Sequence, residues 1–263
     1  MEKLIQNVSR WQNEHIASFH IKDEDVANAF RLKKEHIAFV RKNSKDLAEN
    51  LSLTPYRINL AELIGLTHDL GRFAQYDKYE TFNDSVSVDH AALALEIFKQ
   101  CPYREELSAR DLSLLEFAIF NHNKKAIEES DDDEAILLAK IIRDADKLDI
   151  YRVLRPYLIG DNMEGAPNFV KATATQDISP EFMEIFVDGK QADYRKIKTH
   201  GDRKLVRLLW VYDIYFPWTM QKLTEAGYIE EIVAGLEPKN ERFELGLKRL
   251  REYIQTKLTS DTK

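Results

Sequence analysis

Four histidines share one property that suits chemistry in a protein interior. Each has apolar side chains three or four residues away, so on a helix it points towards a core. They are His36, His68, His90 and His122. Imidazole nitrogens combined with carboxylate oxygens, without thiolates, suit divalent ions such as Mn²⁺, Fe²⁺ and Zn²⁺. The spacing therefore indicates a candidate metal site.

Two aspartates can complete such a site. Asp69 follows His68 directly at the end of an apolar helical segment. Asp146, within the stretch RDADKLD, shares a helical face with Ile142 and Ile150, so its side chain should point inward. A buried carboxylate without a partner is costly, and an inward Asp146 therefore requires a partner or a metal.

Other polar residues keep the choice of ligands open at this point. Asp144 shares its face with Lys140 and Lys147 as well as with apolar residues, which indicates a boundary position. Asp149 also has apolar neighbours, and His15 passes the same test of helical spacing. Periodicity by itself therefore does not select the ligand set.

Helical periodicity dominates the chain and predicts an all-α fold. The predicted helices of the first part cover 25–51 and 58–68, and further ones start near Ser87, near Asp111 and after the acidic stretch ESDDDE. Ser87 is expected to cap the helix that bears His90.

The segment between His68 and His90 has almost no regular period and is interpreted as a loop. Adjacent residues lie about 100° apart on an ideal helix, so the convergence of His68 and Asp69 on one site favours a helix end there. Gly71 is consistent with that end. The aromatic residues of the loop form one wall of a substrate pocket or pack onto the helices; they are Phe73, Tyr76, Tyr79 and Phe82.

Composition limits the classes of protein that fit the chain. The 263 residues are 44% apolar and 32% charged, which is ordinary for a folded globular protein. A net charge of −7 argues against broad nucleic-acid binding. The single Cys101 excludes an intramolecular disulfide and a cysteine-rich zinc site. Without a membrane span or a secretory apolar core, we expect a cytoplasmic protein.

The texture of the sequence changes after residue 157, where we place the boundary between a helical core (1–157) and a C-terminal helical extension (158–263). The stretch GDNMEGAPNFVKATATQD predicts a loop, and Ser179 with Pro180 predicts a helix start. The stretches GDRKLVRLLWVYDIYF and NERFELGLKRLREYI predict further helices.

A basic stretch in this extension, YRKIKTHGDRKLVR, runs from Tyr194 to Arg207. It contacts phosphate or an acidic effector, or it forms a solvated helix face and loop, and the second interpretation is favoured. His200 within it is expected at the surface.

The joint pattern resembles the HD phosphohydrolase superfamily, named for its adjacent His-Asp pair. The words EHIAFV, THDLGRF and RDADKLD carry the resemblance, which covers about residues 30 to 155. The family order of a histidine, the His-Asp pair, two histidines and a distal aspartate implies a set of six metal ligands: His36, His68, Asp69, His90, His122 and Asp146.

Six ligands exceed what one catalytic ion with an open position requires, so the resemblance favours two ions bridged by Asp69. Mn and Fe are the favoured metals, with Zn, Ni or Co expected to substitute in vitro. By the same resemblance Arg72 lies beside the metals and is expected to hold a substrate phosphate. Lys147 is a second, weaker candidate for that role.

The resemblance implies a metal-dependent phosphohydrolase that acts on a small phosphorylated substrate, such as a nucleotide. Water is the expected nucleophile, because no serine or cysteine has an evident partnered base. Two alternatives stay open: a di-iron oxygenase with the same ligands, and a non-catalytic module that senses a nucleotide. Homo-oligomerisation is also left open.

Overall fold

The computed structural model describes residues 1–159, 177–193 and 196–260. Within these residues the regular structure is helical throughout, and no strand occurs. The predicted all-α fold is confirmed. None of the helices in these ranges combines the length and the apolar character that crossing a bilayer requires.

The chain divides into two compact units, Met1–Asp149 and Ile150–Lys263. The division falls inside the long helix that carries Asp146. The loop expected over 160–177 lies outside the described residues except for its last residue.

The first unit is built from seven helices. They are α1 (Glu2–Ala17), α2 (Glu24–Asn50), α3 (Pro55–Thr67), α4 (Gly71–Tyr79), α5 (His90–Phe98), α6 (Ala109–Asn121) and the part of α7 (Asp133–Ile159) up to Asp149. Short 3-10 turns occupy Asp84–Val86 and Arg104–Glu106.

Helix α3 is the centre of this unit, because every residue from Leu60 to Thr67 is buried. It packs mainly against α2. Gly65 permits the close approach, since a Cβ there would lie 2.7 Å from Ser44 Oγ and 2.9 Å from Arg41 Cα. Thr54 caps the helix by accepting from the backbone N–H of Arg57.

The segment after the His-Asp pair corrects the predicted loop. It forms helix α4 over Gly71–Tyr79, in which Phe73 and Gln75 are buried. The Phe73 ring meets Phe30 edge-on, and Tyr76 packs on Phe82. Tertiary contacts to α2 and α5 thus stabilise a helix whose own apolar pattern is weak.

The start of helix α5 also differs from the prediction. Asp89 caps it by accepting from the backbone N–H groups of Ala91 and Ala92. Ser87 instead accepts from Gln75 and donates to the carbonyl of Asn83. The aspartate lies next to the first helical residue, where its carboxylate satisfies the free N–H groups.

The second unit contains helices α8 (Pro180–Asp188), α9 (His200–Leu209), α10 (Pro217–Glu225), α11 (Tyr228–Ala234) and α12 (Glu241–Thr259). Ser179 occupies the N-cap position of α8 with Pro180 in its first turn, as predicted. The helix predicted over 201–216 ends earlier, in a 3-10 turn over Trp210–Asp213. Pro217 then opens α10.

Candidate metal centre

Five elements of the first unit bring the six predicted ligands together. His36 lies on α2, the His-Asp pair follows α3, His90 opens α5, His122 follows α6, and Asp146 lies on α7. Ligand atoms of His36, His68 and Asp146 all lie within 4.8 Å of one another, as do those of His68, Asp69 and His122. His15 stacks on Trp11 in α1 and takes no part in these two groups.

Asp69 lies at the middle of the cluster and faces a different pair of histidines with each oxygen. Its Oδ2 is 3.4 Å from His36 Nε2 and 3.7 Å from His68 Nε2. Its Oδ1 is 3.3 Å from His90 Nε2 and 3.8 Å from His122 Nε2. One carboxylate therefore joins two sets of imidazole nitrogens.

Each set contains a further short approach. Asp146 Oδ1 lies 3.0 Å from His36 Nε2 and 3.8 Å from His68 Nε2, so it completes the first set. In the second set the Nε2 atoms of His90 and His122 lie 2.9 Å apart. The prediction that the Asp146 side chain points inward agrees with these distances.

All four histidines have the same ring orientation. The Nδ1 atom of His36 lies 2.7 Å from Asp149 Oδ2, and that of His68 lies 2.9 Å from the Gly65 carbonyl. The Nδ1 atom of His90 lies 2.5 Å from Asp84 Oδ2, and that of His122 lies 2.6 Å from the Ile119 carbonyl. An acceptor at Nδ1 fixes the proton there and leaves Nε2 as the inward donor of an electron pair. Nε2 of His68 is buried without a hydrogen-bond partner. These observations fit a divalent cation.

Sequence reasoning did not assign these supporting roles. Asp149 stayed an open alternative, and the structure puts its carboxylate behind His36, away from the inward nitrogens. Asp84 lies in an irregular segment, where no periodic pattern marks it. Arg143, fully buried in α7, donates to the carbonyls of Asn121 and Lys124 and thereby fixes the turn that carries His122.

Burial and neighbouring charges set the protonation of the cluster. Burial and Lys33 oppose the charged form of His36, but hydrogen bonds to Asp146, Asp149 and Asp69 outweigh them and raise its pKa to about 10. Burial lowers the pKa of His68 to about 4. Burial and the charge of Arg72 lower the pKa of His90 to about 3.

The two carboxyl groups of the cluster remain ionised. Burial opposes this, but Lys33, His68 and Arg72 together hold the pKa of Asp69 well below its ordinary value. Hydrogen bonding and the charge of His36 likewise outweigh burial and lower the pKa of Asp146. The centre therefore presents anionic oxygens beside neutral imidazoles at His68 and His90 near neutral pH.

Two cations border the cluster, and only one of them was predicted. Arg72 Nε lies 3.3 Å from Asp69 Oδ1, while its Nη1 donates to Gln75, to the Phe82 carbonyl and to Asp84. Lys33 Nζ donates to Asp69 Oδ2 at 2.8 Å. The spacing of three residues between Lys33 and His36 on one helix is the signal that sequence analysis missed.

The remaining candidates are placed as follows. Lys147 is buried on α7, directly after Asp146. Asp144 is fully buried, which corrects the predicted boundary position. Ligand atoms of Asp84, Asp89 and His90 also lie within 4.8 Å of one another, but the two aspartates already accept from Asn123 and from neighbouring side chains.

The comparison with protein families agrees with this geometry. The model of the HD domain family matches residues 34–151. Over this range the chain matches the HD domain, and the resemblance drawn from the sequence is confirmed. Members of the family are mostly metal-dependent phosphohydrolases. Neither the curated proteins nor the solved structures include a significant match to the chain.

Proposed function

We propose that this protein is a metal-dependent phosphohydrolase that uses a bound water to release phosphate from a small phosphorylated substrate. The observation that carries the proposal is the arrangement around Asp69, whose two oxygens face two separate pairs of inward Nε2 atoms. Six hard or borderline donors without a thiolate suit divalent transition metals.

The first ion is assigned to His36, His68, Asp69 and Asp146, and the second to Asp69, His90 and His122. These residues would hold two divalent ions, which would supply the Lewis acidity to bind a phosphoryl group, lower the pKa of a water and stabilise the leaving oxygen. Asp84 and Asp149 hold the rings of His90 and His36 in the ligating orientation. Five of the six residues are buried and the Asp146 side chain is 15% exposed, so the protein side of the centre would be shielded from bulk water.

Lys33 and Arg72 supply positive charge for substrate binding. Both contact Asp69, Lys33 at Oδ2 and Arg72 at Oδ1. Cations that line an anionic metal site are suited to phosphate oxygens. This proximity favours a phosphorylated substrate such as a nucleotide over an uncharged one.

The test measures phosphate release and oxygen consumption by the protein purified with metal and reloaded with Mn²⁺. The measurements are made under nitrogen and in air. We expect phosphate release from a panel of nucleotides and sugar phosphates under nitrogen. The Asp69→Ala variant should lose metal and activity together while keeping its helical circular dichroism, because Asp69 contacts both sets of histidines. The matched control is Asp131→Ala, at an exposed aspartate.

Three results contradict the proposal. Full activity in metal-free Asp69→Ala protein removes the metal from the reaction. Oxygen consumption by a di-iron form without phosphate release favours an oxygenase. Nucleotide binding without turnover, over a broad panel of metals and substrates, favours a sensing module.

The number of ions has a separate test. The double variant His90→Ala/His122→Ala should retain roughly one equivalent of metal and lose most turnover, because both ions clamp the phosphoryl group. Metal content is measured by mass spectrometry on the purified protein. A wild-type protein that saturates at one ion per chain, at high metal and neutral pH, contradicts the assignment of two.

A further inference from the structure

Helix α9 in the second unit carries four basic side chains along one face. His200, Arg203, Lys204 and Arg207 follow at spacings of three and four residues. The structure corrects the predicted solvated face and the predicted surface position of His200, because all four residues are buried. Arg203 is 9% exposed and Arg207 is 8% exposed.

The two arginines lack the partners that buried guanidinium groups normally have. Among the described residues, neither takes part in an ion pair. Nε of Arg203 and both Nε and Nη1 of Arg207 are buried without a hydrogen-bond partner. Buried polar groups in native proteins are otherwise almost always hydrogen-bonded.

Two acceptors close to the arginines in sequence or space are engaged elsewhere. The adjacent carboxylate of Asp202 accepts from the backbone N–H groups of Ser179, Lys198 and Thr199. The Tyr151 hydroxyl donates to the backbone carbonyl of Arg207, which leaves the guanidinium untouched. Lys204 is satisfied differently, because its Nζ donates to the Gly235 carbonyl at 2.8 Å.

This arrangement is electrostatically costly in the unliganded chain. Burial, followed by the positive charge of Arg203, lowers the pKa of Arg207 to about 10. Burial also lowers the pKa of Arg203. Residues four apart on a helix are neighbours, so two like charges face one another, and no carboxylate of the described residues forms an ion pair with either. The Arg207 guanidinium carbon lies 4.1 Å from the centre of the Trp210 ring, which holds the group in place.

We propose that Arg203 and Arg207 form a binding site for a phosphate group of a small anionic ligand, in the second unit. Two planar guanidinium groups on adjacent turns offer several parallel donors, which match a doubly charged tetrahedral oxyanion. A phosphate dianion neutralises both charges, whereas a single carboxylate neutralises only one. This site is additional to the metal centre and goes beyond the proposed hydrolysis.

Titration of the full-length, metal-loaded protein with inorganic phosphate and with pyrophosphate tests the proposal by calorimetry. One binding step should persist in the Asp69→Ala variant, which disables the metal centre. The same step should weaken about tenfold or more in Arg203→Met and in Arg207→Met, because each removes charge-assisted hydrogen bonds. Arg251→Met, at an exposed arginine paired with Glu230, is the matched control and should bind phosphate as the wild type does.

Thermal unfolding without phosphate separates a binding site from a structural role. Arg207→Met should unfold at the wild-type temperature or higher, because it removes an uncompensated buried charge. A lower unfolding temperature, together with unchanged phosphate affinity, overturns the proposal. Arg207→Lys keeps the charge but not the planar fork, and unchanged affinity in that variant overturns it as well. Loss of all phosphate binding in Asp69→Ala would assign the bound anion to the metal centre and refute the site. An affinity for acetate equal to that for phosphate would show non-specific charge pairing and refute it as well.

Discussion

Among the single residues, groups outside the six candidate ligands hold the histidines of the centre in place. Every histidine of the cluster has its Nδ1 held by a carboxylate or a backbone carbonyl. Outer acceptors of this kind fix the tautomer and the ring direction of a ligand. The two carboxylates, Asp149 behind His36 and Asp84 behind His90, therefore support different halves of the site.

This division gives a paired prediction. Asp84→Ala should weaken binding of the second ion about 10–100-fold and leave the first ion in place, whereas Asp149→Ala should weaken the first. Metal titration of both variants, with circular dichroism as the control for folding, measures the effect. Wild-type affinities for both ions in both variants would show that neither carboxylate orients its histidine.

Lys33 is predicted to bind the substrate phosphate through its ammonium group. Its Nζ donates to Asp69 Oδ2, and a metal bound by Asp69 would free this ammonium group for a phosphate oxygen. Lys33→Met should keep the metal content and lower kcat/KM. The decrease should correspond to a loss of about 1.5–3 kcal/mol of transition-state stabilisation, the contribution of a charged hydrogen bond. Lys34→Met, at the exposed neighbouring lysine, is the control and should behave as the wild type. Equal kinetics for Lys33→Met would assign this lysine a purely structural role.

Arg72 is expected to differ from Lys33 in one respect. It also donates to Gln75, to the Phe82 carbonyl and to Asp84, which supports His90. We expect Arg72→Ala to lower kcat/KM and to retain the first ion, because Arg72 lies beside the cluster without being a ligand. Because Arg72 also donates to Asp84, Arg72→Ala should in addition bind the second ion more weakly. The same metal titration measures this effect.

At the scale of elements, the contact between α4 and α5 positions His90. A Cβ at Gly71 would lie 2.4 Å from the His90 carbonyl oxygen and 2.7 Å from the Ala94 nitrogen. Both are backbone atoms, which cannot yield as a flexible side chain does. The two helices have to separate before position 71 accepts a larger residue.

Gly71→Ala should therefore lower the free energy of unfolding by about 1–3 kcal/mol, as expected for an overpacked contact. This loss exceeds the gain of about 1 kcal/mol that alanine gives within a helix. Urea unfolding measures it, and weaker binding of the second ion should accompany it. Gly235→Ala is the control, because its nearest neighbour at 3.2 Å is the mobile end of the Lys204 side chain. A Gly71→Ala protein as stable as the wild type would show that the helices move apart freely.

At the scale of the whole molecule, metal binding and stability are linked through His36. In the metal-free protein its pKa of about 10, against an ordinary value of 6.5, keeps the imidazole protonated near neutral pH. A metal binds only the neutral ring, so each ion at this position displaces one proton. His68 and His90, with pKa values of about 4 and 3, are already neutral and displace none.

The affinity for Mn²⁺ should consequently rise about tenfold per pH unit between pH 6.5 and 8.5, with one proton released per first ion. Calorimetry in buffers of different ionisation enthalpy counts that proton. In the metal-free protein, by contrast, the stability contributed by His36 falls as pH rises. A raised folded-state pKa stabilises below 6.5, and this contribution is lost as pH rises towards about 10. A metal affinity independent of pH over this range would show that His36 is neutral before metal binds.

The all-α fold and the six side chains that cluster were both predicted before any tertiary contact was known. Regular apolar spacing is a property of neighbouring residues and does not depend on tertiary contacts. The all-α fold and the inward direction of Asp146 could therefore be predicted from local pattern. Periodicity alone left His15 equal to the others, and the order of the HD family was needed to separate them.

The residues that support the site and the charges that are buried depend on contacts between residues far apart in the sequence. Helix α4 depends on contacts with α2 and α5, and Asp84 reaches His90 from an irregular segment without any periodic signal. The stretch around Arg203 and Arg207 has the composition of a solvated face, yet the structure buries it. Composition records the charge of a side chain, whereas its environment depends on residues distant in sequence, which only the folded chain brings together.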